Sequence, residues 1–384
     1  MPPRHRVALG HASAEMAPNR SRKSVVIVQT VIPDYRTRFF EELASRLPGD
    51  LQLLSGEQDW QPDVWHDDDV PSISVRNLFF ARRQLLWQRG VLRRSIAADV
   101  TVLSLNPRIV SGWITLVMRR ALRRRTLLWG HAWPRKGRQS ATDHVRGIMR
   151  RLASSVIVYS ETEAAQLRDE RSAVSVVAAP NALYRRSEIW PGPITGSVRD
   201  LVCVGRLTAS KRPQVLLEAF IAARHQLPQD VRLVFVGDGP LREPMEARLH
   251  SVGLEEHVVL AGHVSSLERL RDTYAHAFAS ASAGEVGLSL LQSLGFGVPM
   301  ILATDADHGP EVEAAIPGVN AVFFERDSMS SLITAIVDIA RQRDAWVARR
   351  DELAAFIREH HSVDAMVTSF VDALGANGLP DRPG

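Results

Sequence analysis

The sequence predicts an α/β protein made of two doubly wound domains, because of its length, its strand and helix rhythm and one break rich in proline and glycine. The chain has 384 residues, of which 45% are hydrophobic and 23% are charged, more than one ordinary core requires. Short β-branched runs alternate with longer helical patterns, as in parallel sheets whose strands are joined by helices. The break, Trp190–Ser197, has the composition of a linker.

Apolar runs and helical periodicity place the elements of each half in order. In the first half the predicted strands are Val25–Val28, Leu51–Leu54, Val100–Leu103, Leu127–Trp129 and Val156–Tyr159, with a helix at Phe39–Leu47. In the second half the predicted strands are Leu201–Val204, Leu233–Val236, Val258–Leu260, Ala277–Ala279 and Met300–Leu302. The helices predicted there are Gln214–His225, Pro240–Val252, Leu288–Gly295 and, at the end of the chain, Val363–Leu374.

These elements predict how the chain divides. We expect an N-terminal domain over 23–189, a linker over 190–198, a C-terminal domain over 199–360, and a helix and tail over 361–384. Residues 1–22 lack periodicity and are expected to form a disordered extension. Because ligands bind beyond the carboxyl ends of parallel strands, the cleft between the domains is the expected binding site.

Cysteine content and hydropathy indicate the compartment. The single Cys203 lies in an apolar run and is expected to be a core residue, which fits a reducing, cytoplasmic environment. No apolar run approaches the roughly 20 residues that a membrane span needs, so we expect a soluble protein, with a peripheral position at the inner face of the membrane as an option.

Positive charge is concentrated in the N-terminal half, although the formal net charge is only +4. Between Arg82 and Arg151 many basic residues are opposed by Asp99 and Asp143 alone, and part of this cluster lies on the amphipathic segment Ile109–Leu122. The cluster predicts either a surface for anionic lipid or a lipid-diphosphate acceptor, or a solvated arginine-rich helix. Nucleic acid is not expected as a partner, because exposed aromatic residues are not interleaved with the charges.

The segment Ala281–Ile301 predicts a glycine-rich loop, a short helix and a buried strand. Backbone N–H groups around Gly287 and Leu288, at the positive end of the helix, suit an anionic ligand such as a sugar nucleotide. Arg206 and Lys211 follow a predicted strand at a spacing that lets both reach one diphosphate.

Several motifs occur together in order: Val204–Leu207, Lys211–Pro213, Val236–Leu241, Gly262–Val264, the glycine-rich loop and Gly309–Val312. Together they resemble the C-terminal domain of the retaining GT-B glycosyltransferases of family 4. The segments Ile32–Leu43 and Leu128–His131 are similar to members that build bacterial polysaccharides. The resemblance implies two Rossmann-like domains facing each other across a cleft.

The resemblance also implies roles for individual residues. It implies catalytic roles for His131 and Glu285, and donor-diphosphate binding by Arg206, Lys211, Gly287 and Leu288. It implies nucleotide binding by Gln292, His263 and Gly237. Tyr35 and Arg36 lie in the first loop after the first predicted strand, where they are placed to contact the acceptor or its phosphate, and simple loop packing is equally open. Asn181 also matches a position of the family pattern, but a turn role is equally open.

The loop departs from the family pattern at its two acidic positions. Gly284 stands where the first glutamate is expected, with Glu285 beside it, and Gln292 stands at the second. A displaced Glu285 can replace the first acid if the loop turns differently, and the Gln292 amide can still bind a diol.

The sequence therefore predicts a retaining, metal-independent glycosyltransferase that moves a hexosyl unit from a nucleotide diphosphate sugar to an acceptor hydroxyl, without a further cofactor. The acidic run His66–Asp69 is interpreted as a solvated turn and not as a metal site. The expected acceptor is a glycan, a lipid-linked sugar or a small-molecule scaffold, in bacterial polysaccharide or glycoconjugate biosynthesis. A natural-product glycosyltransferase and a catalytically weakened sugar-nucleotide-binding protein remain alternatives.

Overall fold

The computed structural model describes residues 24–47, 51–60, 66–67, 69–134, 140–170 and 174–375. In these ranges the strands form a seven-stranded sheet, a six-stranded sheet and a two-stranded hairpin. The pairs within the two larger sheets are parallel. The extension expected at 1–22 lies outside the described residues.

The first sheet belongs to the N-terminal half, and its strand order is β3-β2-β1-β6-β7-β8-β9. Its strands are β1 Val25–Val28, β2 Leu51–Ser55, β3 Ile73–Ser74, β6 Val100–Ser104, β7 Arg125–Trp129, β8 Ser155–Val158 and β9 Ser175–Ala178, and the hairpin strands are β4 Arg76–Phe80 and β5 Leu85–Arg89. The helices are α1 Thr37–Arg46, α2 Val91–Ala97, α3 Val110–Ala121, α4 Ala141–Leu152 and α5 Glu161–Asp169. The strand order reverses between β1 and β6, which opens a crevice beyond their carboxyl ends.

The second sheet has the order β12-β11-β10-β13-β14-β15. Its strands are β10 Asp200–Val204, β11 Arg232–Val236, β12 Val258–Leu260, β13 Ala277–Ser282, β14 Met300–Ala303 and β15 Ala321–Phe324. The helices are α6 Pro213–Ala223, α7 Arg242–Val252, α8 Leu267–Ala275, α9 Leu288–Gly295, α10 Met329–Arg341, α11 Arg343–Val347 and α12 Arg350–His360. The reversal between β10 and β13 places the loops after these two strands side by side.

Helices cover both faces of each sheet, so the central strands are buried along most of their length. Strand β1 is buried at all four positions, as are β8 and β14. Cys203 in β10 is buried in the core of the second sheet, as the sequence predicts. Its burial raises the pKa of the thiol to about 12, so the thiol is the stable form.

The last helix, α13 Val363–Leu374, returns to the N-terminal sheet. It packs against α1, and the ring of Phe370 lies 4.9 Å from that of Trp129 and 5.2 Å from that of Phe39. Because the chain crosses between the two halves a second time, α13 ties the end of the C-terminal half to the N-terminal core. The sequence alone left its docking domain open.

The basic cluster, which the sequence places on a charged surface or a solvated helix, also contains buried members. Arg119 of α3 is fully buried. Its guanidinium donates to Thr126 Oγ1 and to five carbonyl oxygens, those of Ser95, Ile96, Ala98, Asp99 and Arg125. Burial lowers the pKa of this guanidinium to about 10, so it is still charged near neutral pH. Arg119 therefore satisfies the carbonyl groups around the end of α2.

We predict that Arg119→Ala lowers the free energy of unfolding by about 3 kcal/mol or more, because several buried carbonyl oxygens lose their donor. The neighbouring Arg120 is exposed, so Arg120→Ala should change stability by less than about 0.5 kcal/mol. Urea unfolding of the two variants tests this difference. Equal stability of the two variants would contradict the structural role given to Arg119.

Candidate functional site

A cleft of about 860 Å³ lies between the two sheets, and both halves of the chain line it. The N-terminal half contributes, among others, Tyr35, His131, Arg146, Glu163 and Asn181, and the C-terminal half contributes Lys211, Glu285, Leu288, His308 and Glu311. Apart from Arg146 in the middle of α4, these residues follow strands or lie in the first turns of helices at the carboxyl edges of the sheets. The cleft therefore lies where the reversed strand orders predict a binding crevice.

The C-terminal wall is built by the paired loops after β10 and β13. Lys211 Nζ donates to the carbonyl oxygen of Glu285 at 2.9 Å, and the Glu285 N–H donates to the carbonyl of Ser210 at 3.1 Å. Burial lowers the pKa of Lys211, while the nearby carboxylates of Glu285 and Glu311 act in the opposite direction. The two loops thus fix the ammonium group beside the acidic loop that precedes α9.

The loop after β14 holds the same region from the other side. The Val286 N–H donates to His308 Nδ1 at 3.1 Å, and His308 Nε2 lies 2.8 Å from the carbonyl of Ala303. Because Nδ1 accepts a hydrogen bond and Nε2 faces a carbonyl oxygen, the proton of the neutral ring is assigned to Nε2. Burial lowers the pKa of the ring, which favours this neutral form. The sequence analysis did not select His308, because its two partners lie on different segments.

Gly284 has no room for a side chain. A Cβ atom built there would lie 2.7 Å from the carbonyl carbon of Lys211 and closer still to the carbonyl oxygen of Ser210. Glycine is therefore required for the close approach of the two loops, and an acid cannot be placed at this position without moving them. Glu285 is partly exposed and lines the cleft.

The start of α9 is part of the cleft, as the sequence predicts for an anion-binding helix end. Leu288 lines the cleft, and Gly287 immediately precedes the helix. Arg206 is exposed in the loop after β10 and is not among the lining residues, although it is near enough to Lys211 to lower the pKa of that amine. The structure thus places Lys211 nearer to the proposed diphosphate site than Arg206.

Gln292, a predicted nucleotide-binding residue, has a hydrogen-bond partner within the protein. Gln292 is buried and lies apart from the lining residues, and its amide Nε2 donates to the Tyr184 hydroxyl at 2.5 Å. Tyr184 also packs against Phe296 just after α9. The amide that was assigned to a ribose diol therefore has a partner within the protein.

His263 and Gly237 also lie outside the set that lines the cleft. His263 is exposed after β12. Gly237 is buried at φ +148°, donates its N–H to the carbonyl of Gly262 at 2.8 Å, and has no space for a Cβ beside Gly205. Glycine is required at position 237 because the loops after β10 and β11 contact each other closely there.

His131 lies at the end of β7 and lines the cleft, as predicted. Its ring Nδ1 is 3.6 Å from Glu163 Oε1, and its ring packs edge-on against Tyr159 at 4.8 Å. Glu163 also accepts the N–H groups of Ala132 and Tyr159 at 3.0 and 3.2 Å. A carboxylate from α5 therefore lies beside the imidazole and holds the backbone on both sides of His131.

Two arginines of α4 hold the carbonyl groups of the same segment. Arg146 donates to the carbonyl oxygens of His131 and Trp133, and Arg150 donates to that of Ala132 at 2.9 Å. Like Arg119, these members of the basic cluster have structural partners. They fix the backbone around His131.

Tyr35 and Arg36 have different surroundings, although they are adjacent. Tyr35 is exposed and lines the cleft, in agreement with an acceptor-side position. Arg36 is buried, with its guanidinium 5.0 Å from the centre of the Trp129 ring and 5.3 Å from that of Tyr159. This burial corrects the predicted acceptor contact of Arg36, because its charge faces aromatic rings and Asn181.

An acidic turn whose role is not apparent from the sequence joins the two halves. Glu311 Oε1 accepts from Asn181 Nδ2 at 2.6 Å, and Asn181 Oδ1 accepts from Arg36 Nη2 at 2.6 Å. The Glu313 carboxylate accepts the N–H groups of Glu161 and Thr162, both at 3.1 Å, at the start of α5. The sequence showed Glu311 only as part of the Gly309–Val312 motif and gave no sign of its partners.

In the described ranges no group of three or more histidine, cysteine, aspartate or glutamate side chains could hold a metal ion. In the acidic run, His66 Nδ1 accepts the N–H of Ile32 at 3.2 Å and Asp67 accepts from the Thr37 hydroxyl. Asp68 lies outside the described residues. The described members of this run therefore have partners within the protein.

Comparison with solved structures identifies the architecture. Two parallel-sheet domains on either side of a cleft define the GT-B fold, and the predicted fold is confirmed. HepE from Anabaena, solved in complex with UDP, is 15% identical and superimposes with a TM-score of 0.66 over 92% of this chain and 100% of its own. The lipopolysaccharide outer core galactosyltransferase WaaB, in its apo form, is 15% identical with a TM-score of 0.62 over 92% and 99%.

Residues 198–342, in the C-terminal half, match the family model for glycosyl transferases group 1, in agreement with the resemblance of the motifs there. A GDP-mannose-dependent alpha-(1-6)-phosphatidylinositol monomannoside mannosyltransferase of Mycobacterium tuberculosis is 26% identical over 198 residues, which is 49% of this chain and 50% of that protein. Its counterpart in Mycolicibacterium smegmatis is 25% identical over 148 residues, 36% of this chain and 38% of that protein. The chain thus spans half the length of these relatives or less.

We predict that Gly284→Ala lowers the free energy of unfolding by about 1–3 kcal/mol, because the added methyl group overlaps the Lys211 loop. In Gly147→Ala, the control on α4, the new Cβ would meet Arg150 Nη2 at an ordinary 3.7 Å, so helix propensity should stabilise the protein by about 0.5–1 kcal/mol. Urea unfolding measures both changes. If Gly284→Ala were as stable as Gly147→Ala, the close approach of the loops would be refuted.

Proposed function

We propose that this protein is a glycosyltransferase that moves a hexosyl unit from a nucleotide diphosphate sugar to an acceptor hydroxyl. The observation that carries the proposal is the position of Lys211 and the start of α9 on one wall of a cleft whose other wall carries His131 and Tyr35. A cation and a helix N-terminus together favour a diphosphate. The mannosyltransferase relatives make GDP-mannose one candidate donor, and the UDP complex of HepE makes uridine nucleotides another.

We propose that transfer retains the configuration at the sugar carbon and requires neither a metal nor another cofactor. Lys211 and the backbone N–H groups at α9 would stabilise the charge of the leaving diphosphate. The departing diphosphate would take the proton of the incoming hydroxyl on the same face of the sugar. His131, held by Glu163, would bind the sugar near the reacting carbon, and Glu285 would bind its hydroxyl groups.

The acceptor side of the proposal rests on the N-terminal half. Tyr35 is an exposed ring on the wall of the cleft, and such a ring suits contact with a sugar face or a lipid-linked acceptor. We propose an acceptor from bacterial polysaccharide or glycoconjugate biosynthesis. Closure of the two domains over the donor would exclude water and limit hydrolysis.

We further propose that α3 and α4 dock on an anionic membrane surface. Their exposed apolar side chains, between 38% and 55% exposed, form an apolar patch that consists of Ile114, Val117, Met118, Leu122, Val145 and Ile148. The first four recur at helical spacing, and exposed arginines flank them at positions 120, 123, 124 and 151. Apolar side chains beside arginines favour an interface with anionic lipid. None of the helices in the described ranges is long and apolar enough to cross a membrane.

A weakened sugar-nucleotide-binding protein is a second candidate function. Two observations favour it: Gly284 cannot carry an acid, and the Gln292 amide is bonded to Tyr184. Such a protein would bind a nucleotide sugar without releasing the nucleoside diphosphate.

We predict that the purified protein releases nucleoside diphosphate from one donor of a panel that includes GDP-mannose, UDP-glucose, UDP-galactose and UDP-N-acetylglucosamine, with EDTA and candidate acceptors present. Lys211→Ala should lower kcat/KM by about 100-fold, because the leaving diphosphate loses a buried cation. The control Arg269→Ala removes an exposed charge from α8 and should leave the rate unchanged. Binding without release would favour the second candidate function, and an unchanged rate in Lys211→Ala would refute the site.

We predict that the protein sediments with vesicles containing phosphatidylglycerol, and that a Val117→Ser, Leu122→Ser double variant binds them at least tenfold more weakly. The two side chains are 52% and 55% exposed, so their loss removes apolar area that would enter the lipid interface. Val259→Ser, a change at an exposed position of the second sheet, is the control. Equal sedimentation of both variants would contradict docking through the apolar patch.

A further inference from the structure

Three side chains form a hydrogen-bonded row across the wall of the cleft, from the residue that precedes α1 to the turn after β14. Arg36 donates to Asn181, and Asn181 donates to Glu311, both at 2.6 Å. A guanidinium can only donate and an ionised carboxylate can only accept, so the chemistry of the two ends fixes the orientation of the amide between them. The row therefore has one stable arrangement, in which Asn181 Nδ2 points to Glu311.

The arginine end of this row is rigid. Arg36 is 7% exposed, and its guanidinium lies within 5.5 Å of the ring centres of Tyr35, Trp129 and Tyr159. Its Nη1 also lies 3.4 Å from Met366 Sδ of α13. Aromatic faces attract a cation and leave it little freedom. Arg36 therefore anchors Asn181 in the N-terminal core.

At the other end of the row, the Glu311 carboxylate occupies space that is open because Gly309 has no side chain. A Cβ atom on Gly309 would overlap Glu311 Oε2. Gly309 has φ −66°, which any residue can adopt, so the space and not the backbone angle explains the glycine. The same Oε2 lies 3.6 Å from the Cβ position of Gly287, at the start of α9.

Glu311 thus places a carboxylate beside the proposed diphosphate site. It lines the cleft and is close enough to Lys211 to raise the pKa of that amine. Oε1 accepts from Asn181, which leaves the lone pairs of Oε2 as acceptors for a ligand hydroxyl. Gly284, on the loop before α9, has no room for an acid, and Glu311 brings a carboxylate to the cleft from another segment, in addition to that of Glu285.

We propose that Glu311 binds hydroxyl groups of the donor sugar through Oε2, and that Asn181 and Arg36 are positioning residues that aim its carboxylate. This inference rests on the proposed function and identifies a sugar-binding residue of the same site. Because Asn181 and Glu311 lie in different halves of the chain, their bond forms only when the two halves close on each other. Closure of the cleft and the assembly of the sugar site are therefore one event.

The test separates binding of the nucleotide from binding of the sugar. We expect Glu311→Gln to change the Kd of the nucleoside diphosphate by less than about twofold. We expect it to lower kcat/KM for the nucleotide sugar by about 10- to 100-fold, the effect of one charge-assisted hydrogen bond. Glu268→Gln, which removes an exposed charge from α8, is the matched control and should match the unaltered protein.

The positioning role is tested by a swap. In Asn181→Asp an acceptor meets the Glu311 carboxylate, and kcat/KM for the nucleotide sugar should fall by at least tenfold. Adding Glu311→Gln restores a donor to that contact and leaves an amide oxygen toward the sugar, so the double variant should be several-fold more active than Asn181→Asp alone. If thermal melting shows that a single variant does not fold, the double variant serves as the folded protein for comparison.

The outcomes are distinct. The inference is overturned if Glu311→Gln turns over the donor like the unaltered protein, or if its Kd for the nucleoside diphosphate weakens by the same factor as kcat/KM. If the unaltered protein binds donors without turnover, transfer fails. In that case the role of Glu311 is tested by the ratio of the Kd of the nucleotide sugar to the Kd of the nucleoside diphosphate. This ratio should rise in Glu311→Gln relative to the unaltered protein, and an unchanged ratio overturns the inference. If it binds no donor at all, the proposed function and the inference fail together.

Discussion

The hydrogen bond from Asn181 to Glu311 is the contact on which the geometry of the cleft depends. It joins the core of the N-terminal sheet to the turn beside α9, and a second contact, from Glu313 to the start of α5, supports it. Each parallel sheet carries its loops at one edge, but a sheet by itself cannot fix the distance to the other sheet. Oriented hydrogen bonds between the halves supply that distance, and α13 adds an apolar connection to the N-terminal core.

Elements that are buried on both faces could be predicted from the sequence. Strand β1, helix α9 and helix α13 were predicted with the bounds that the structure gives them, because continuous apolar runs and a regular helical period are local signals. The hairpin of β4 and β5 was missed, since its strands alternate between exposed and partly buried positions. The last strand and α10 were missed although their apolar residues belong to the second core.

The site was predictable where a residue follows a strand, and not where its role depends on a distant partner. His131 and Lys211 line the cleft because they come after β7 and β10 in parallel sheets. Arg36 is predicted from the sequence to contact the acceptor from a loop, but the rings of Tyr35, Trp129 and Tyr159 surround its guanidinium. Gln292 is predicted to bind the nucleotide, but its amide donates a hydrogen bond to the hydroxyl of Tyr184, 108 positions earlier. Glu311 showed no signal beyond its motif, because Asn181 lies 130 positions away.

The central claim is that the cleft holds a nucleoside diphosphate between Lys211 and the first residues of α9. A crystal structure of the protein with UDP or GDP bound tests this most directly. We expect density for the diphosphate within hydrogen-bond distance of Lys211 Nζ and of the backbone N–H groups at the start of α9, with Glu311 Oε2 beside it. A nucleotide bound elsewhere, or a cleft that stays empty at saturating nucleotide, would contradict it.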